Sequence, residues 1–257
     1  MQKYKKILLT GASGQLGTAI LNIEDRVRFL TPAMDILDIT KTSSIERYFK
    51  KHNFDAVIHC AALARMTECE KDPITTIETN IKGTANLVAA VISKEGKLER
   101  PIRFMHISTD GVYPGTKGNY SEKDETIPCN IYGWTKLGAE CAVHLLKNFC
   151  IIRTSFFNPD KIRFNNSATD LYSSKVTIDY LAEAVIRLLE SEFVGTINIG
   201  GKRQSDYERY KKFKPSLRPC KGIDISKGIG LKLAKDASLN YRQWKKIERG
   251  LLKTTNG

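Results

Sequence analysis

A doubly wound α/β fold built on a parallel sheet is predicted by three observations. Apolar runs of strand length recur along the chain, amphipathic helical stretches alternate with them, and the connections are short. With 257 residues the chain can bury a sizeable core as one domain, or as one domain with a small lobe.

The first strand is read at Lys6–Thr10, followed by glycines at Gly11, Gly14 and Gly17 and an amphipathic stretch from Gln15 to Ile23. Strand, glycine turn and helix in that order set backbone N–H groups and a positive helix end against a pyrophosphate. Glycine is needed where a side chain would block the phosphates or the helix–strand contact. Alone, the three glycines read equally well as a tight turn. Further strands are expected at Val27–Leu30, Ala56–Ala62, Ile102–Ser108, Cys150–Thr154 and Thr196–Ile199, with another candidate just before Asp38. Ser43 and Glu46 have the spacing of a capping box that opens a helix over Ile45–Lys51. A long helix is expected from Pro73 to Gly96, with proline as start and glycine as stop. Ile131–Asn148 and Ile178–Glu190 are the clearest later helices. The whole is a Rossmann-type sheet. After Ser155 the alternation breaks: Phe156–Ser174 is polar and irregular, with Asn158-Pro159 and Asn165-Asn166 as turn sequences. Residues 1–155, with 175–200 returning to them, are expected to form the sheet domain; 156–174 and 201–257 form a small C-terminal lobe.

Composition excludes several classes. No apolar run approaches the ~20 residues that span a membrane, and only three strongly apolar residues precede the glycine turn, too few for a signal peptide. The cytoplasm is the expected compartment. Six cysteines show no CxxC or zinc-like spacing, and Cys60 and Cys150 sit in strand-like apolar runs as small hydrophobes. The net charge is +13, of which +11 lies in residues 202–257, with sixteen Lys/Arg against five Asp/Glu. Such a surface attracts polyanions. Yet Tyr241 and Trp244 stand three apart, as helix core residues do, so neither nucleic acid nor membrane is expected as a partner.

The chemistry concentrates at residues 132–136. Tyr132 and Lys136 are four apart, so on a helix they project from one face. A phenol ordinarily loses its proton near pH ~10; a fixed ammonium beside it favours the phenolate. Ser108-Thr109-Asp110 can bring a hydroxyl from another segment to hold a carbonyl oxygen against the phenol. These groups suit proton transfer to or from a carbonyl or alcohol oxygen, with a hydride carrier at the glycine turn. The plain alternatives are a tyrosine packed at a helix start and an ordinary strand-to-loop junction.

Six segments carry a resemblance: 10–17, 58–62, 79–84, 107–113, 130–140 and 152–155. In order and content they resemble the extended short-chain dehydrogenase/reductase family, and within it the dTDP-4-dehydrorhamnose reductases. The resemblance implies a nucleotide-sugar substrate whose 4-keto-6-deoxysugar is reduced at C4, in deoxysugar and polysaccharide synthesis. It implies that Tyr132 is the proton donor, that Lys136 keeps the phenol acidic and bonds the nicotinamide ribose, and that Thr109 is the active hydroxyl. Ser108 is a substitute for Thr109, and Asp110 belongs to the same motif. Gly11, Ser13, Gly14, Gln15, Leu16 and Gly17 would line the cofactor phosphates, and Asp38 and Ile39 would meet the adenine. Ala61, Ala62 and Ala64 would permit close approach of the cofactor, although helix–sheet packing explains such small residues equally well. Asn80 would tie its helix to the active-site strand. The second strand ends Phe29-Leu30-Thr31-Pro32 without the acid that favours NAD, so NADPH, or NADPH and NADH alike, is expected.

The related 4,6-dehydratases carry Asp-Glu after the threonine; here Gly111 stands second, which disfavours dehydration. The 4-epimerases share the Tyr/Lys pair and remain open, as does a non-catalytic regulatory role like that of the methionine adenosyltransferase beta subunit. Met66-Thr67 departs from the reductases' Val-Asp, and the insert after Ser155 is shorter than theirs. The lobe is the expected substrate-binding part, with Lys202, Arg203 and Arg209 placed to bind a diphosphate. A homodimer is compatible with the resemblance. No metal site is expected, since the tail has no carboxylate cluster.

Overall fold

The computed structural model describes residues 3–24 and 27–255. Along the chain, Lys6–Thr10 (β1), Gln15–Ile23 (α1) and Arg28–Leu30 (β2) precede Thr42–Lys51 (α2) and Ala56–His59 (β3). Met66–Lys71 (α3), Pro73–Thr76 (α4) and Gly83–Leu98 (α5) lead to Arg103–Ile107 (β4), Ile131–Val143 (α6) and Phe149–Thr154 (β5). Short strands follow at Phe156–Phe157 (β6), Asn166–Ala168 (β7), Tyr172–Ser173 (β8) and Val176–Thr177 (β9), then Ile178–Glu190 (α7) and Gly195–Ile199 (β10). Last come Gln204–Ser205 (β11), Asp206–Tyr210 (α8), Arg218–Cys220 (β12), Gly222–Ile229 (α9) and Arg242–Thr255 (α10).

Six strands pair in the order β10-β5-β4-β3-β1-β2, every pairing parallel. A parallel sheet covered on both faces needs strands that are apolar throughout, and Ile7, Leu8, Leu9, Val57, Ile58, Phe104, Met105, Ile151 and Ile152 are all fully buried. Alternate residues serve opposite faces. Ile7, Leu9, Ile58, Met105 and Ile152 join Ile20, Leu181, Val185 and Trp244 in one core. Leu8, Val57, Phe104 and Ile151 join Ile45, Phe49, Leu87 and Val143 in the other. The doubly wound sheet is as expected.

Several boundaries differ from the sequence reading. The segment before Asp38 is a turn, so the third strand of the sheet is β3. α2 starts at Thr42 with Lys41 outside it, so Ser43 lies within the first turn and caps nothing. The helical run from Pro73 contains a π-helical turn at Ile77–Lys82 and continues past Gly96 to Leu98, where Glu99 takes the left-handed conformation that ends it. α6 stops at Val143 rather than Asn148. α10, assigned with the lobe on sequence, instead lies against β10 and α7. Trp244 is fully buried there, its indole N–H donating to the Tyr180 hydroxyl at 2.8 Å.

The irregular region is laced by three two-stranded pieces, β6–β9, β7–β12 and β8–β11. Some of the tail's positive charge works locally on backbone carbonyls. Lys211 Nζ donates to Pro215 O and Leu217 O, and Lys214 Nζ donates to Phe164 O. All six cysteines are free, and burial pushes the Cys60 and Cys150 thiols up to about 12. Among the described residues no helix is long and apolar enough to cross a membrane.

Candidate active site

Thr109 leaves the end of β4, and Tyr132 and Lys136 project from the first turns of α6. The start of α6 is fixed by two caps. The Asn130 side chain accepts from Gly133 N at 2.9 Å, and Glu70 of α3 accepts from Ile131 N at 2.7 Å. Gly133 is required for the close approach: a Cβ there would stand 2.3 Å from Gly111 O. Its absence lets the Tyr132 turn rest on the Thr109–Gly111 turn. The Met66 sulfur, 3.5 Å from Asn130 Nδ2, lies at the same mouth.

The Thr109 hydroxyl accepts from Gly111 N at 3.0 Å and donates to Asp110 Oδ1 at 3.3 Å. Ser108 is excluded as its substitute, because its hydroxyl donates to Glu140 inside the protein. Burial raises the Tyr132 phenol above its ordinary value; the Asp110 carboxylate pushes the same way, and the Thr109 hydroxyl works against them. The net effect is a rise, against the expected acidification by the Lys136 ammonium. The Lys136 amine lies 3.2 Å from His106 Nε2 on β4. Burial lowers Lys136 to about 8, with Glu140 and Cys60 working against the fall. A phenol with a raised value is protonated at neutrality, which is the form a proton donor requires.

Asp110 is buried, and desolvation raises its carboxyl to about 6 against the pull of Lys175 and Thr109. Its folded value exceeds the ordinary carboxyl value of 3.8. The stabilisation therefore holds in full below pH 3.8 and is lost as pH rises through about 6. Asp110→Asn removes that dependence. Relative to wild type, the variant should gain on the order of 2 kcal/mol between pH 4 and pH 7. Denaturant unfolding across that range measures the gain, and stability curves that stay parallel would contradict it.

The glycine turn forms a cradle. Gly11 has φ +69°, and a Cβ there would meet Ala61 N at 2.6 Å; a Cβ on Gly17 would meet Gly11 O at 2.4 Å. Neither has room for a side chain. Gly14 precedes α1 with no side-chain cap and no acid in the first turn, so the N–H groups of that turn face outward. Ser13 and Gln15 are exposed around it. The Leu16 side chain is in the core, leaving only its backbone available to a ligand. A helix start of this form suits a pyrophosphate, so the residues present fit a dinucleotide.

Of the other expected cofactor residues, Asp38 holds its own turn, accepting from Thr40 N at 3.0 Å and from Thr40 Oγ1 at 2.7 Å. Ile39 is buried over Gly83, which has no room for a Cβ beneath it. Ala61 and Ala62 are half-buried beside the cradle and Ala64 is exposed. Asn80, on the π turn, accepts from Leu63 N at 2.8 Å and donates to Leu63 O at 2.9 Å and Thr135 Oγ1 at 3.0 Å. Asn80 thus ties the 61–64 loop to α6, not to the active-site strand, and both its amide hydrogens are engaged. A π turn in an α-helix often marks a functional site.

Two of the three cations assigned to a diphosphate are committed elsewhere. Arg209 is buried and donates to Lys175 O at 2.9 Å and Ser173 O at 2.5 Å. Arg203 pairs with Asp236 at 2.7 Å and stacks on Tyr172. Lys202 lines a cavity of about 470 Å³ together with Phe157, Lys175, Lys212 and Phe213. Lys175 Nζ is bonded to Asp206 at 3.0 Å and to the Tyr210 hydroxyl at 3.2 Å.

Composition and spacing gave no warning of the groups behind the site. Glu140 and Arg153 form a buried ion pair at 2.7 Å. Arg153 continues to the Tyr113 hydroxyl at 3.0 Å, and Tyr113 to Asn198 Oδ1 at 3.0 Å. Among the described residues no group of three or more His, Cys, Asp or Glu could hold a metal ion.

A family model described as "RmlD substrate binding domain" matches residues 5–175. A dTDP-4-keto-6-deoxy-D-glucose reductase of Streptomyces niveus is 32% identical over 181 residues, 67% of this chain and 60% of that protein. A dTDP-4-dehydrorhamnose reductase of Mycolicibacterium smegmatis is 33% identical over 159 residues, 59% of this chain and 46% of its own length. The chain spans about half the length of the curated relatives it matches. A solved dTDP-4-dehydrorhamnose reductase of Bacillus anthracis, in complex with NADP, superposes with TM-score 0.84 over 98% of both chains at 21% identity.

Proposed function

The chain belongs to the RmlD substrate binding domain family, and on that premise we propose that it is an NADPH-dependent oxidoreductase that reduces the 4-keto group of a nucleoside-diphosphate 4-keto-6-deoxysugar. The observation that carries the reading is the meeting of Thr109, Tyr132 and Lys136 at one end of the sheet that also bears the glycine cradle. A reduced nicotinamide bound there would supply the hydride for C4. Thr109 orients the keto oxygen, and Tyr132, protonated at neutral pH, donates to it; such acid catalysis contributes typically ~10²–10⁴-fold. Lys136 holds the nicotinamide ribose, while Ser13, Gly14, Gln15 and the backbone of Leu16 receive the phosphates. Residues 156–174 and the chain from 201 up to α10 make the substrate lobe, and the cavity beside Lys202 takes the nucleotide's diphosphate. The reading carries a cytoplasmic location with it.

The test is oxidation of NADPH, and separately of NADH, against a panel of dTDP- and UDP-linked 4-keto-6-deoxysugars. One NADPH consumed per alcohol formed is expected. Stereoinversion at C4 without net NADPH consumption would replace the proposal with an epimerase. Tight dinucleotide binding with no turnover of any keto-sugar would replace it with a binding subunit.

A further inference from the structure

We infer that His106 is a positioning residue for Lys136: it accepts a hydrogen bond from the amine, aims it out of the sheet, and does so as a neutral partner that leaves the amine's charge uncancelled. The inference rests on the reading of Lys136 as part of the reductase site. Lys136 is 3% exposed, and its one hydrogen bond named above is to His106 Nε2 at 3.2 Å. An ammonium only donates. Nε2 must therefore accept, and the imidazole proton lies on Nδ1. That N–H is fully buried and has no partner among the described residues. An orphaned buried donor destabilises a fold, so the ring keeps this orientation against its own interest.

The neighbours hold His106 neutral. It is fully buried, and its pKa lies well below the ordinary value through burial, the Lys136 charge and His59. The His59 ring lies 5.4 Å away and is fixed by its own chain of bonds. Thr84 donates to Asn80 O at 2.7 Å and so accepts from His59 Nε2 at 3.0 Å. That leaves His59 Nδ1 to accept from Thr10 Oγ1 at 2.7 Å. His59 is likewise lowered, to about 3, by burial and Lys136. The other titratable groups acting on the amine are Cys60, a thiol pushed up to about 12, and on α6 Glu140. Glu140, one turn beyond Lys136, is the carboxylate that could cancel its charge. It is held instead by Arg153, from Nη2 at 2.7 Å and Nε at 3.1 Å, and by Ser108. Lys136 thus keeps a neutral acceptor, and its field remains available to the ribose and the phenol.

The test compares His106→Gln, whose amide oxygen reaches the Nε2 position, with His106→Asn, which is a methylene too short, and His106→Phe, which has no acceptor. The readouts are the Lys136 titration midpoint by ¹³C NMR of labelled lysine, NADPH affinity by fluorescence from pH 6 to 9, and kcat and KM. With the acceptor lost the charged amine is less favoured. The midpoint and the alkaline limb should then move to lower pH by about one unit, tenfold in proton affinity, in His106→Asn and His106→Phe. In those two kcat should fall at least ~10-fold with KM nearly unchanged, and His106→Gln should restore both. Should Asn and Gln behave alike, or all midpoints coincide with wild type, His106 is only a packing residue. Wild-type protein that binds no NADPH would refute the reductase reading separately, while the NMR comparison would still decide the Lys136–His106 bond.

Discussion

Tyr132→Phe should lower turnover by at least ~100-fold while leaving NADPH affinity nearly unchanged. The substitution removes one oxygen from a side chain whose backbone turn is held at the start of α6 by the Asn130 and Glu70 caps and by the close approach of Gly133 to Gly111. Those contacts survive it. Burial keeps the phenol protonated at neutrality, so the hydroxyl can supply a proton in every turnover, and phenylalanine can supply none. On the proposed reading cofactor affinity rests on the glycine cradle and Lys136, which the change leaves alone. A loss shared equally between affinity and turnover would mean that the ring, not the hydroxyl, matters. Unaltered turnover would end the assignment of Tyr132 as the acid.

The largest effect on stability is expected at Arg153. Arg153→Met leaves the Glu140 carboxylate buried at 2% exposure with Ser108 as its remaining partner. Breaking a buried pair from one side costs about 3–5 kcal/mol, and urea unfolding should show a loss of that order. Glu140→Leu combined with Arg153→Met should recover most of it, because two apolar side chains of similar volume need no partners. A double variant no more stable than Arg153→Met would show that the ends of β4 and β10 depend on the whole chain through Tyr113 and Asn198. The single variant should also lose turnover beyond its loss of folded protein, since the freed Glu140 can turn to Lys136.

The sheet was legible because its strands are apolar on both faces, a pattern helices of this chain do not share. The glycine turn and the Tyr132/Lys136 pair were legible because their spacing is local. Asp38 was misplaced after a strand because a short half-buried turn carrying Leu37 and Ile39 has the same apolar composition as an edge strand. The end of the long helix was missed because Gly96 lies on an exposed face within α5, where a Cβ would touch nothing, so the glycine imposes no stop. His106, Glu140 and Arg153 lie on β4, α6 and β5. Each is an ordinary residue until pairing in three dimensions brings it beneath the site. Arg203 and Arg209 looked like anion binders since charge can be counted in a sequence, whereas the carbonyls and the Asp236 that occupy them cannot.

The burial of Trp244 among residues as early as Ile7 and Leu9 bears on how the molecule is made. On the ribosome the opening strands emerge more than two hundred residues before the indole that completes their packing. Until then the apolar side chains of β10 and α7 that α10 covers face water, a state prone to self-association. Synthesis that stalls short of α10 should therefore yield aggregates or chaperone clients, not a shortened folded protein.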